Sequence, residues 1–101
     1  MGWSANYIEH LKPGEIVIFR PRGNSMVGKI ESGQLCTVVP IADHSALEVG
    51  AVVLCKVGGC GYLHLVKAIQ GGRFQIGNNR GRVNGWVGAS AIYGECTEVE
   101  A

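Results

Sequence analysis

Two residues of this sequence are of types that together make a nucleophile and its base. Ser25 stands in Arg22-Gly23-Asn24-Ser25-Met26, just after a Pro/Gly break and before a stretch, 25–31, able to hold one helical turn closed by Ser32-Gly33. A serine at the mouth of a turn presents its hydroxyl beside free backbone N–H groups. Those of Asn24 and Ser25 are the expected oxyanion donors. The plain alternative is a serine that only caps its turn. The second residue is Lys67, in Tyr62-Leu63-His64-Leu65-Val66-Lys67-Ala68-Ile69. On a strand, alternate residues share a face, so Leu63, Leu65, Lys67 and Ile69 line up and the lysine stands in an apolar row. An ammonium there must snorkel out, pair, or give up its proton, and only a neutral amine can accept the proton of a serine hydroxyl. The same alternation sends His64 to the opposite face with Val66 and Ala68, away from such a site.

The other reactive side chains carry less. The four cysteines, Cys36, Cys55, Cys60 and Cys96, include no Cys-x-x-Cys. Cys55-x4-Cys60-x3-His64 has some metal-ligand character, but structural zinc sites show tighter paired spacing and a second pair. Small buried hydrophobes are the expectation, in particular for Cys36 and Cys55 in their strand-like contexts, with no metal and no cofactor.

The elements that must position Ser25 and Lys67 are mostly strands. Trp3 to Leu11 reads as a short helix with Ser4 as N-cap and Pro13-Gly14 as its stop. Strands are expected at Glu15 to Arg20, Gln34 to Pro40, Ala51 to Val57, Tyr62 to Ile69, Arg73 to Ile76 and Ile92 to Val99. Gly58-Gly59-Cys60-Gly61 reads as a hairpin turn and Gly71-Gly72 begins another. Ile41 to Gly50 is a polar connection containing His44, and Gly77 to Ala89 reads as a Gly- and Asn-rich loop. With no repeat and no linker, residues 1–101 form one domain: a helical arm over 1–14 and a β core over 15–99. The fold class expected is mostly β with one N-terminal helix.

The residues around the two reactive side chains resemble a known family. Gly23-Asn24-Ser25-Met26, with Ile30 and Gly33 beyond, is similar to the nucleophile motif of LexA-like repressors and signal peptidases, which are serine–lysine peptidases. Val66-Lys67-Ala68-Ile69 resembles their base motif, Gly77-Asn78-Asn79 the turn after it, and Ile92-Tyr93-Gly94-Glu95 their closing strand. The likeness runs over about residues 15 to 99 in family order, although Gln34 replaces the usual Asp and no proline follows Met26. It implies a LexA-like (signal-peptidase-like) β domain in which Ser25 attacks a peptide carbonyl and Lys67 takes its proton. Gly23, Met26, Leu65, Asn78 and Asn79 would border the substrate groove. It also implies a peptide or protein substrate lying extended along a strand edge, and a homodimer through the C-terminal strand. The arm before Ser25 holds no dipeptide of the kind such repressors cut in themselves, which disfavours self-cleavage.

Composition sets the outer bounds. A 47% hydrophobic content with 17% charged residues suits a folded domain with a real core, and sixteen glycines suit a turn-rich β protein. A formal charge of +1 offers no broad attraction to nucleic acid or an anionic membrane. No apolar run approaches the roughly 18 residues of a membrane-spanning helix, and no signal peptide, membrane anchor or helix-turn-helix domain is recognisable. A cytoplasmic protein without disulfides is the expectation. The rival to a peptidase is a catalytically silent module of the same fold that dimerises or captures a peptide, a small ligand or a repressor partner.

Overall fold

The structure is a computed structural model and describes residues 2–101. Its order is α1 (Ala5–Leu11), β1 (Val17–Phe19), β2 (Leu35–Pro40), β3 (Val52–Val57), β4 (Cys60–Gln70), β5 (Arg73–Gly77), β6 (Val83–Gly88) and β7 (Ile92–Glu100). The seven strands make one antiparallel sheet in the order β1-β2-β7-β3-β4-β5-β6, so the fold is mostly β with a single short helix. A Cα radius of gyration of 12.3 Å matches the ~13 Å expected of one compact domain this long.

The hairpins follow from local chemistry. Gly58-Gly59 joins β3 to β4 with φ of +58° and +84°, and Gly71-Gly72 joins β4 to β5 with +57° and +76°. Two consecutive residues at positive φ make the loop whose twist matches its flanking strands, and glycine adopts it without steric cost. Strand β4 therefore starts at Cys60, earlier than the turn chemistry alone suggests.

Both faces of the sheet are covered. Along β3, Val52 and Leu54 belong to one apolar cluster, Val53 and Cys55 to the other. The first cluster joins α1 (Ile8, Leu11) to Val17, Phe19, Cys36, Val38, Leu63 and Leu65, and takes in Met26 and Ile30 from the turn after Ser25. The second gathers Leu47, Val66, Phe74, Ile76, Val87 and Ile92 where the far strands curl over. A strand buried on both faces reads as a continuous apolar run, as Val52-Val53-Leu54-Cys55 does. Cys36 and Cys55 are fully buried free thiols.

Three expectations need correction. Residues 77–89 are not all loop: Val83–Gly88 forms β6, the edge partner of β5. Gly85 and Gly88 dilute its pattern, and one face of an edge strand stays wet, leaving Val83 and Trp86 exposed. Ser4 does not cap α1, since its side chain makes no capping hydrogen bond; it is buried against Gly61 of β4 and seats the helix there. The even alternation expected along Tyr62 to Ile69 breaks at Lys67, where a register shift between Val66 and Ala68 leaves the lysine as the extra residue of a bulge opposite β5.

Candidate active site

The Ser25 loop is held from two sides. Beneath it, Met26 and Ile30 enter the first core cluster, and the Lys29 and Ile30 N–H groups donate to the Met26 carbonyl at 2.9 and 2.8 Å. Burying two such side chains contributes about 3–6 kcal/mol, enough to fix a short turn. From the side comes the turn after β5. The Asn79 N–H donates to the Ser25 carbonyl at 2.9 Å, and Asn79 Nδ2 donates to the Val27 carbonyl at 2.8 Å. That turn is braced by its neighbour: Asn78 Oδ1 accepts from the N–H groups of Arg80 and Arg82 at 2.8 and 2.9 Å, and the Asn78 N–H donates to the Arg82 carbonyl at 2.9 Å.

This docking sets Ser25 beside His64. Strand β4 pairs with β5 only from Leu65 onward, so His64 is the residue just before that ladder opens. His64 Nε2 lies 3.2 Å from Ser25 Oγ, and His64 Nδ1 lies 2.7 Å from Asn84 Oδ1 on β6. An amide oxygen only accepts, so the Nδ1 proton is committed to Asn84 and Nε2 is left with a lone pair to take the serine proton. Tyr62 stacks on the imidazole with ring centroids 4.8 Å apart and restricts its rotation. Burial holds the pKa of His64 below its ordinary 6.5. The Asn84 hydrogen bond opposes that shift, and the nearby positive charge of Arg82 adds to it. The imidazole is therefore neutral at pH 7 and competent to accept a proton. The expectation that His64 lies away from the site is overturned, because the Ser25 loop and the β5–β6 turn reach it from the open end of the ladder.

Lys67 occupies a different place. Its Nζ donates to the Asn78 carbonyl at 2.8 Å, while the Ser25 hydroxyl pairs with His64. The expected hydrogen bond between Ser25 and Lys67 is not formed. The bulge redirects the lysine to the β5–β6 turn, where its stem passes over Gly77: a Cβ there would sit 3.1 and 3.2 Å from Lys67 Cγ and Cδ and would collide with the Arg82 carbonyl. Lys67, Asn78 and Asn79 thus form one bracket that ends on the Ser25 backbone.

The remaining expected residues divide. Gly23, Ser25, Met26 and Asn78 border a groove of ≈ 730 Å³ that also contains His64, Arg82 and Asn84. Asn24 is exposed in the loop. Leu65 is 6% exposed within the core, beneath the groove wall and not on it. Asn79 acts behind the groove through its bonds to Ser25 and Val27. The N–H groups of Asn24, Ser25 and Met26 make no hydrogen bond among the described residues. Trp3, Tyr7 and Phe19 also line the groove as an aromatic wall, with Tyr7 stacked on Phe19 at 4.3 Å. Cys36, Cys55 and Cys96 are poor rivals for the nucleophile: burial pushes the Cys55 and Cys96 thiols up to about 12 and raises Cys36. No family model matches this chain, and no curated protein matches it.

Proposed function

We propose that this protein is a serine hydrolase acting on peptide bonds, with Ser25 as nucleophile, His64 as general base and Asn84 as the group that orients the imidazole. The observation that carries this reading is the chain of contacts Ser25 Oγ to His64 Nε2 to Asn84 Oδ1, 3.2 and 2.7 Å, on three separate elements bordering one groove. A nucleophile in reach of a base that is itself held by a third group is the recurring constellation of acyl transfer, and it is recognised by geometry, not by position in the chain. His64 Nε2 takes the hydroxyl proton as Oγ attacks the carbonyl carbon. The oxyanion that forms accepts from the free N–H groups of the loop 24–26. The imidazolium then returns its proton to the leaving amine, and water releases the acyl group from Ser25 by the same steps in reverse.

Two features favour a peptide. Strand β1 pairs only with β2, and residues 60–64 of β4 have no neighbour on the β5 side, so the groove is flanked by backbone with unused hydrogen-bonding groups. An extended peptide satisfies such groups by strand addition, and the aromatic wall suits an apolar side chain. The likeness of Gly23-Asn24-Ser25-Met26 to the LexA-like and signal-peptidase motif supports the same substrate class. The role that likeness implies for Lys67 passes, in this reading, to His64.

A fluorophosphonate probe should label wild-type protein at Ser25, and a peptide library should be cleaved. Ser25→Ala should lose both while keeping its thermal midpoint within a few degrees, since a serine at a turn contributes only about 1 kcal/mol. Labelling elsewhere, or none together with no cleavage, would replace this reading with that of a binding module.

A further inference from the structure

The groove has a charge pattern that the chain as a whole lacks. Overall the sequence is nearly balanced at +1, yet three guanidinium groups, Arg20, Arg22 and Arg82, border the groove against a single carboxylate, Glu31. That carboxylate is engaged locally, accepting the Gly28 N–H at 3.0 Å. None of the three arginines makes an ion pair, since the ion pairs among the described residues join His10 to Glu15 and Lys12 to Glu9.

Arg82 is the best placed of the three. Its backbone is tied at both ends to Asn78, through the Arg82 N–H to Asn78 Oδ1 and the Asn78 N–H to the Arg82 carbonyl, each at 2.9 Å. Arg82 therefore belongs to the bracket that holds Ser25, and it lies two residues from Asn84, the partner of His64. Its charge is felt at His64, where it disfavours the imidazolium. Arg20, which also borders the groove, is fixed by Nη1 donating to the Gly33 carbonyl at 2.8 Å, which leaves its other donors free.

A guanidinium fork that borders the groove without an acidic partner, carried on a turn tied to the Ser25 loop, is suited to receive a carboxylate. We infer that the substrate carries a carboxylate close to the bond attacked, on the side of the groove where Arg82 stands. Arg22 and Arg20 extend the same field along the groove. The carboxylate belongs either to an Asp or Glu side chain or to the C-terminus of the peptide. Its arrival would also offset the charge of Arg82 at His64 and so favour the imidazolium that proton transfer creates. This inference rests on the proposed hydrolase reading for its site, but its test does not depend on turnover.

Extended peptide libraries with one position fixed as Glu, Gln or Lys, each as free acid and as C-terminal amide, would be titrated onto the Ser25→Ala protein at low and high ionic strength. The expected result is that at one position Glu binds about tenfold tighter than Gln, with Lys weakest, and that salt narrows the gap. If amidation alone abolishes the preference, the carboxylate is the C-terminal one. Arg82→Gln should remove most of the discrimination and Arg82→Lys should keep part of it, which separates lost charge from a disturbed loop. Equal binding of Glu and Gln peptides in both end forms, no binding of any peptide, or a preference that survives Arg82→Gln would overturn the inference. Charge-selective binding to Ser25→Ala with no cleavage by wild type would sink the hydrolase reading and leave this one standing. Cleavage by wild type without charge preference would do the reverse.

Discussion

At the residue scale the site turns on one proton and the groups that decide where it resides. Asn84 fixes the tautomer of His64, and burial with Arg82 keeps the ring neutral below its ordinary 6.5. If the neutral ring is the base, kcat/KM rises with pH only up to that depressed pKa and is flat across pH 7 to 9. Asn84→Asp places a carboxylate against the ring and stabilises the imidazolium, and should move the acid limb upward by about one unit or more. Lys67→Arg keeps a cationic donor for the Asn78 carbonyl and should retain turnover within a few-fold at pH 7; with lysine as base it would abolish it. The turn that carries Ser25 was legible in the sequence because turn chemistry is local. The contact of Ser25 with His64 was not. On a strand buried on both faces, alternation tells which residues share a side but not which side an incoming loop will meet, and Asn84 comes from an element whose pattern glycine had diluted.

At the element scale the β5–β6 turn is what braces the candidate site. It receives Lys67 from the bulge of β4, folds back on Arg82 through Asn78, and ends on the Ser25 carbonyl through Asn79. The Gly77-Asn78-Asn79 motif was visible in the sequence and was expected at the groove, but the hydrogen bonds of Asn79 to the Ser25 loop were not. Its bracing by Lys67 depends on a bulge, which no residue pattern in the strand announces. Gly77 is where this arrangement is tightest, and Gly77→Ala drives a Cβ into the Arg82 carbonyl and the lysine stem. A clash of that kind costs about 1–3 kcal/mol, which should lower the thermal midpoint by several degrees. Turnover at temperatures where the variant is fully folded should fall by tenfold or more, because the displaced turn carries the Ser25 backbone with it. Asn78→Ala, which removes the acceptor for two N–H groups, should lose activity in the same way. Full activity in folded Gly77→Ala protein would show that the turn is scaffold only.

At the scale of the whole molecule the sheet serves two cores, and the site lies across both. Ser25 is anchored by Met26 and Ile30 in the cluster under α1, whereas Asn84 belongs to β6, whose Val87 packs in the second cluster. Ser25 and Asn84, the two residues hydrogen-bonded to His64, are therefore held in register only while both halves are folded. Adjacent residues of β3 feed opposite clusters, Leu54 one and Val53 the other, and neither side chain is exposed. A strand shared in this way should make the two halves melt as one. Nature has placed a reporter in each: Trp3 packs with Tyr7 and Phe19 at the aromatic wall, and Trp86 lies on β6. In Trp86→Phe protein the fluorescence of Trp3 follows the first half, and in Trp3→Phe protein that of Trp86 follows the second. Each variant's fluorescence midpoint in denaturant should coincide with its own circular-dichroism midpoint. Leu54→Ala and Val53→Ala, introduced into either background, should lower both signals together, Leu54→Ala by about 2–5 kcal/mol. If Leu54→Ala shifts the Trp3 transition and leaves that of Trp86 in place, the halves unfold independently. The geometry between Ser25 and His64 would then persist in a partly unfolded form while Asn84 is lost, and activity would decline along the Trp86 transition alone.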